Sequence, residues 1–154
     1  MLAEKAQSLL SFYQSTVGSG FSSTILKHSR VVSAGEDHRR VVVEFVVPIL
    51  PDFSNISGAM HGGAIATIVD ELTGVAVWLA DHEPRHMAST NLSLYYLSAA
   101  SAGEELRVVC RCDKVGRNIA FASAKLFIGD RIVASGRHAL AISEKKVFQE
   151  ESKL

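Results

Sequence analysis

The groups in this sequence best suited to chemistry are His61-Gly62-Gly63 and, nine positions after the histidine, Asp70. Two glycines at a helix start let a ligand approach the backbone closely, since neither carries a Cβ. The first-turn N–H groups of a helix have no intrahelical partner and sit at its positive end. Such a terminus can polarise a carbonyl and hold the oxyanion formed on attack, one good donor contributing about 3 kcal/mol to the transition state. The same glycines would serve equally well as a plain loop-to-helix turn. Asp70 changes the balance. It stands two turns into the apolar run Ala64 to Ala80, where a carboxylate is costly unless paired or used. Burial there predicts a raised pKa, as suits a base or nucleophile near neutral pH. The alternatives are that Asp70 caps a neighbouring group or lies on a seam between two copies. Glu71 is a second acid, about 100° further round the helix and so in other surroundings.

The elements that must position these groups follow from periodicity. Leu2, Ala6, Leu9, Leu10 and Tyr13 have helical spacing, and Gly18 and Gly20 end that helix. A strand is expected around Lys27 to Ala34, then a turn at Gly35-Glu36-Asp37. A buried strand, Val41 to Val47, is ended by Pro48 and Pro51. The loop from Pro51 to Met60 leads into the apolar helix, which is hydrophobic on most faces and must be surrounded. Four strands follow: Ser89 to Leu97, Glu105 to Lys114, Asn118 to Ile128 and Ile132 to Ile142, with a tight turn at Gly129-Asp130. Hairpin-linked strands around a single helix argue α+β with an antiparallel sheet, not a doubly wound fold. One domain is expected over residues 1–143, with residues 1–20 as N-terminal helix and linker and residues 144–154 as a polar tail. Uncovered strand edges favour pairing of two copies.

Composition narrows the classes. Acidic and basic residues balance at 16 each, which excludes the basic excess of a nucleic-acid binder or a polybasic membrane-surface protein. Apolar residues make up 47 %, enough for a core. Asp70 and Glu71 within the longest apolar run argue for a buried helix instead of a membrane span. The residues from Met1 to Tyr13 include Glu4, Lys5 and Gln7, so no secretory leader is expected. Cys110 and Cys112, two apart on a strand, read as buried reduced thiols on one face, too few for a zinc site. His82 and His86 flank Pro84 and read as loop histidines. No Gly-x-Ser-x-Gly elbow or phosphate-binding glycine motif is present. The last residues, Ser152-Lys153-Leu154, have the form of a peroxisomal import address, which implies capture by the import receptor; cytoplasmic location is the alternative.

His-Gly-Gly, the Asp at this offset, Val115-Gly116-Arg117, Gly136-Arg137-His138 and the order of elements together resemble the hotdog-fold thioesterases. The nearest group holds the phenylacetic-acid-degradation thioesterases and the small type 13 acyl-CoA thioesterases. The likeness spans about Phe21 to Ile142. It implies a curved antiparallel sheet of about six strands around a central helix, in a homodimer or homotetramer that hydrolyses acyl-CoA. The resemblance makes the Gly62 N–H the group that polarises the thioester carbonyl and Asp70 the general base or nucleophile, supplied across the dimer by the partner. It makes Asn55 a residue that holds His61, or the carbonyl and water. It makes Ser89 the residue that orients the attacking water. Gly63 is expected beside the substrate, Val115, Gly116, Arg117 and Asn118 near the CoA nucleotide, and Arg117 or Arg137 on its phosphates. His138 is expected to be structural. No metal or redox cofactor is implied, CoA being part of the substrate. Asn91 and Ala99 depart from the family, where an acid and a proline are common. The rivals are a hotdog enoyl-CoA hydratase-type enzyme and a non-catalytic acyl-CoA sensor.

Overall fold

In the computed structural model, which describes residues 1–148, helix α1 (Leu2–Val17) buries Ala6, Leu9 and Leu10. It stops at Gly18, whose φ of +58° is left-handed. A short helix α2 (Ser23–His28) comes next, where a strand was expected from Lys27. Ile25 and Leu26 are buried there, and the Ser29 hydroxyl donates to the Ile25 carbonyl. At six residues the helix is too short to leave a periodic signature.

Strands β1 (Arg30–Asp37) and β2 (Arg40–Pro48) form the first hairpin. Its turn is His38-Arg39, beyond the expected Gly35-Glu36-Asp37; both residues have positive φ, +48° and +62°. That two-residue geometry matches the right-handed strand twist but normally selects Asn or Gly, so no composition signal marked it. A 3-10 turn, Pro51–Phe53, precedes the central helix α3 (Gly62–Ala80). Four further strands follow among the described residues: β3 (Arg85–Tyr96), β4 (Glu105–Val115), β5 (Ile119–Ile128) and β6 (Arg131–Lys146).

All six strands make one antiparallel sheet in the order β1-β2-β4-β5-β6-β3. The sheet and helix arrangement is the one the resemblance implied. Helix α3 packs on β2, β3, β4, β5 and β6, which explains why it is apolar almost all round. It is also the one described helix long and apolar enough to cross a bilayer, and the sheet accounts for that composition. The alternation in β4 places Leu106, Val108, Cys110 and Cys112 on the helix side, all buried. Strand β3 ends the sheet as a twelve-residue edge. Strand β6 runs past the expected boundary at 143 because β3 begins at Arg85 and pairs with Lys146. The Lys146 ammonium also meets Glu83 at 2.7 Å. Ser152-Lys153-Leu154 lies outside the described residues.

Gly136 lets the helix and sheet close up. A Cβ there would lie 2.8 Å from Leu94 Cδ2 and 3.0 Å from Val69 Cγ1. Gly136→Ala is therefore expected to lower stability by about 1–3 kcal/mol. Urea unfolding measures this, and an unchanged midpoint would show that the contact relaxes freely.

Candidate active site

Asp70 projects from the third turn of α3 toward β3 and β6. Its Oδ1 accepts a hydrogen bond from the Ser89 hydroxyl at 2.5 Å. The same oxygen lies 3.1 Å from His138 Nε2. That ring is fully buried, while the Asp70 side chain is 40 % exposed and so reachable by a ligand. The approach of Nε2 makes no well-formed hydrogen bond, and among the described residues no other group satisfies that nitrogen. On its far side, His138 Nδ1 lies 2.7 Å from the Thr73 hydroxyl. The single Thr73 hydroxyl hydrogen is shared between Nδ1 and the Val69 carbonyl, 2.6 Å away. When it goes to Nδ1, the hydrogen of the neutral ring is on Nε2 and the contact with Asp70 is attractive. Thr73 is three residues beyond Asp70 on α3, so both side chains lie on one face of the helix and meet the same ring.

The Asp70 carboxyl is held below the usual carboxylate range, contrary to the raised value expected from its apolar helix. The His138 contact lowers it most; partial burial opposes this, and the Ser89 donor adds to the lowering. Periodicity could not show that two donors from distant strands converge there. The folded chain thus favours ionised Asp70. This contribution to stability is present above the ordinary carboxylate pKa and fades as pH falls through the lowered one. His138→Gln is expected to raise the Asp70 pKa and move the acid limb of kcat/KM to higher pH. An unmoved limb would mean that His138 does not hold the carboxylate.

His138, read from the sequence as a structural histidine, is the residue whose contact with Asp70 the sequence did not reveal. A signal existed: Ala134, Gly136, His138, Leu140 and Ile142 form the inward row of β6, and one member is an imidazole. Tyr13 was also missed. Its hydroxyl, from α1, donates to Glu71, and burial followed by that bond pushes its pKa up.

At the start of α3, His61 is the N-cap, and its Nδ1 accepts from the Gly63 N–H at 2.8 Å. A Cβ on Gly63 would lie 3.0 Å from that nitrogen, so glycine lets the ring fold over the helix start. The Gly63 N–H is therefore engaged within the chain. The Gly62 N–H has no protein acceptor among the described residues. The Gly62 carbonyl accepts from the Tyr96 hydroxyl at 3.1 Å. Asn55 Oδ1 takes the N–H groups of Ser57 (2.9 Å) and Ala59 (3.2 Å), bracing its own loop. Its side-chain amide donates to no acceptor among the described residues. Asn55, Gly62 and Tyr96 line a common cavity of ≈ 360 Å³.

The remaining candidates lie apart. Arg85 pairs with Asp81 at 2.9 Å and donates to the carbonyls of Arg117 (2.9 Å) and Gly116 (3.2 Å). The loop from Val115 to Asn118 is thereby tied to the C-terminal end of α3. Arg137 points to the other sheet face from His138 and lines an outer trough of ≈ 940 Å³ that does not include Asp70. His82 follows α3 and His86 lies on β3; no metal-binding cluster occurs among the described residues.

A family model described as the thioesterase superfamily matches residues 57–135. A candidate esterase of Pseudomonas aeruginosa is 40 % identical over 81 residues, 53 % of this chain and 60 % of that one. The match thus spans less than two thirds of that relative. Mouse acyl-coenzyme A thioesterase 13 is 30 % identical over 121 residues, covering 77 % of this chain and 82 % of that protein. Among solved structures, zebra fish thioesterase superfamily member 2 superposes with a TM-score of 0.75 at 25 % identity, covering 88 % of this chain and 96 % of that one.

Proposed function

The chain belongs to the thioesterase superfamily and has its hotdog fold, and from that premise we propose that it hydrolyses acyl-CoA thioesters to the free acid and CoA. The observation that carries this reading is the pairing of an accessible, ionised Asp70 with an uncommitted Gly62 N–H. Water adds to the thioester carbonyl carbon and gives its proton to Asp70, while Ser89 orients it. The Gly62 N–H, with the Asn55 side-chain amide, holds the oxyanion. Collapse of the tetrahedral intermediate breaks the C–S bond and releases the CoA thiolate.

Asp70 and Gly62 of one chain cannot serve one carbonyl. Eight residues of helix separate them by about 12 Å. The reading therefore uses Gly62 from one protomer and Asp70 from its partner, in a homodimer or a pair of such dimers, with the long β3 edge available for pairing. Arg117, its backbone fixed by Arg85, and Arg137 are the proposed phosphate contacts.

Thiol release from a panel of acyl-CoAs tests the reaction, from acetyl to palmitoyl with phenylacetyl and hydroxybenzoyl included. Hydrolysis that disappears in Asp70→Asn is the expected result. A folded protein that releases no thiol from any member would refute the hydrolase reading.

A further inference from the structure

A cavity of ≈ 360 Å³ opens beside Asp70 and runs along α3 beneath α1. Asp70, Gly74 and Trp78 line it from α3, Phe12 and Tyr13 from α1, and Met87 from β3. The three α3 positions are four apart and so share one helix face. Asp70, Ser89, Thr16, His86 and Glu71 are the cavity's polar groups, Glu71 being held by the Tyr13 hydroxyl, and the rest of the lining is aromatic, aliphatic and thioether. Helix α1 is fixed above it by the Tyr13–Glu71 bond and by edge contact of the Tyr13 and Trp78 rings, centroids 5.4 Å apart.

Gly74 is the informative residue. A glycine inside a helix costs about 1 kcal/mol relative to alanine. Packing does not require it here: an added Cβ would meet only Met87 Cε, at an ordinary 3.8 Å. Gly136 is the opposite case, where the same atom would collide at 2.8 Å. The missing side chain at Gly74 thus keeps space open beside the carboxylate, and among the described residues no side chain fills it.

We propose that this channel takes the acyl chain of the substrate, and that Gly74 sets the length admitted. The proposal rests on the thioesterase reading. From Asp70 to Trp78 the helix rises about 12 Å. An all-trans acyl chain advances about 1.25 Å per carbon, so the channel accepts roughly eight to ten carbons before its end meets Trp78. Straight, medium-length acyl groups are the class that fits.

The test is kcat/KM across saturated acyl-CoAs from butyryl to palmitoyl. The parent is expected to peak near octanoyl or decanoyl. In Gly74→Leu the decanoyl-to-butyryl ratio is expected to fall by about tenfold or more, because the added side chain occupies the channel. Gly74→Ala guards against misfolding. It should raise Tm, since its methyl fits, and lower the ratio for the longest chains in the same direction. Hydrolysis with the parental chain-length profile in both variants would overturn the channel and leave the thioesterase reading standing. No thiol release by the parent from any acyl-CoA would overturn both.

Discussion

Asp70→Asn is expected to fold as the parent does and to hydrolyse thioesters about 100- to 10,000-fold more slowly. The substitution keeps the size of the side chain and leaves an oxygen to accept from Ser89. It removes the proton acceptor and the charge facing His138. The parent side chain is 40 % exposed, so little packing is at stake. The loss should appear in kcat, because the proton is transferred only as water attacks. Circular dichroism and Tm would confirm the fold. Turnover within threefold of the parent would place the base elsewhere, and Glu71 would be the next residue to test.

Gly62→Pro should reduce turnover by about 100- to 1,000-fold, the usual effect of losing one oxyanion donor. Proline deletes the Gly62 N–H and little else. Gly62 is the first helical residue after the His61 cap, a position where proline is favoured. His61 already has φ −64° and ψ 135°, the extended region that a following proline requires. The ring must fit against Tyr96, whose nearest carbon would be 3.4 Å from the new Cβ, a contact at the edge of comfort. A normal Tm with slow turnover is the expected pair of results; full activity would exclude this N–H from the reaction. Refolding the two inactive variants together extends the test. A Gly62→Pro protomer still supplies Asp70, and an Asp70→Asn protomer still supplies Gly62. Mixed dimers should therefore regain activity that neither parent variant has. Failure to recover would count against a site shared between protomers.

Much of this was legible in the sequence because it is local. The helix cap and two glycines are adjacent in the chain, and the apolar run of α3 with its single interruption by Asp70 and Glu71 is visible without coordinates. The alternation in β4 and the Gly129-Asp130 turn were equally direct. What stayed hidden depends on residues far apart. His138 is 68 positions from Asp70, and only the order β5-β6-β3 under α3 brings them together. The pKa of Asp70 was misjudged for the same reason: the helix predicts desolvation, whereas the donors come from β3 and β6. Tyr13 meets Glu71 across 58 positions. Helix α2 and the His38-Arg39 turn failed differently, the first through brevity and the second through residues that usually avoid that conformation.

The burial of Cys110 and Cys112 bears on how product would be detected. Both thiols are free and face the core, 0 % and 4 % exposed. Burial pushes the Cys110 thiol well up and the Cys112 thiol to about 11. Each therefore holds its proton and stays out of reach of a dissolved disulfide reagent. A dye that turns yellow with free CoA should see almost no background from native enzyme. In denaturant the same dye should titrate both cysteines, so one reagent reads catalysis while the protein is folded and counts unfolded molecules when it is not.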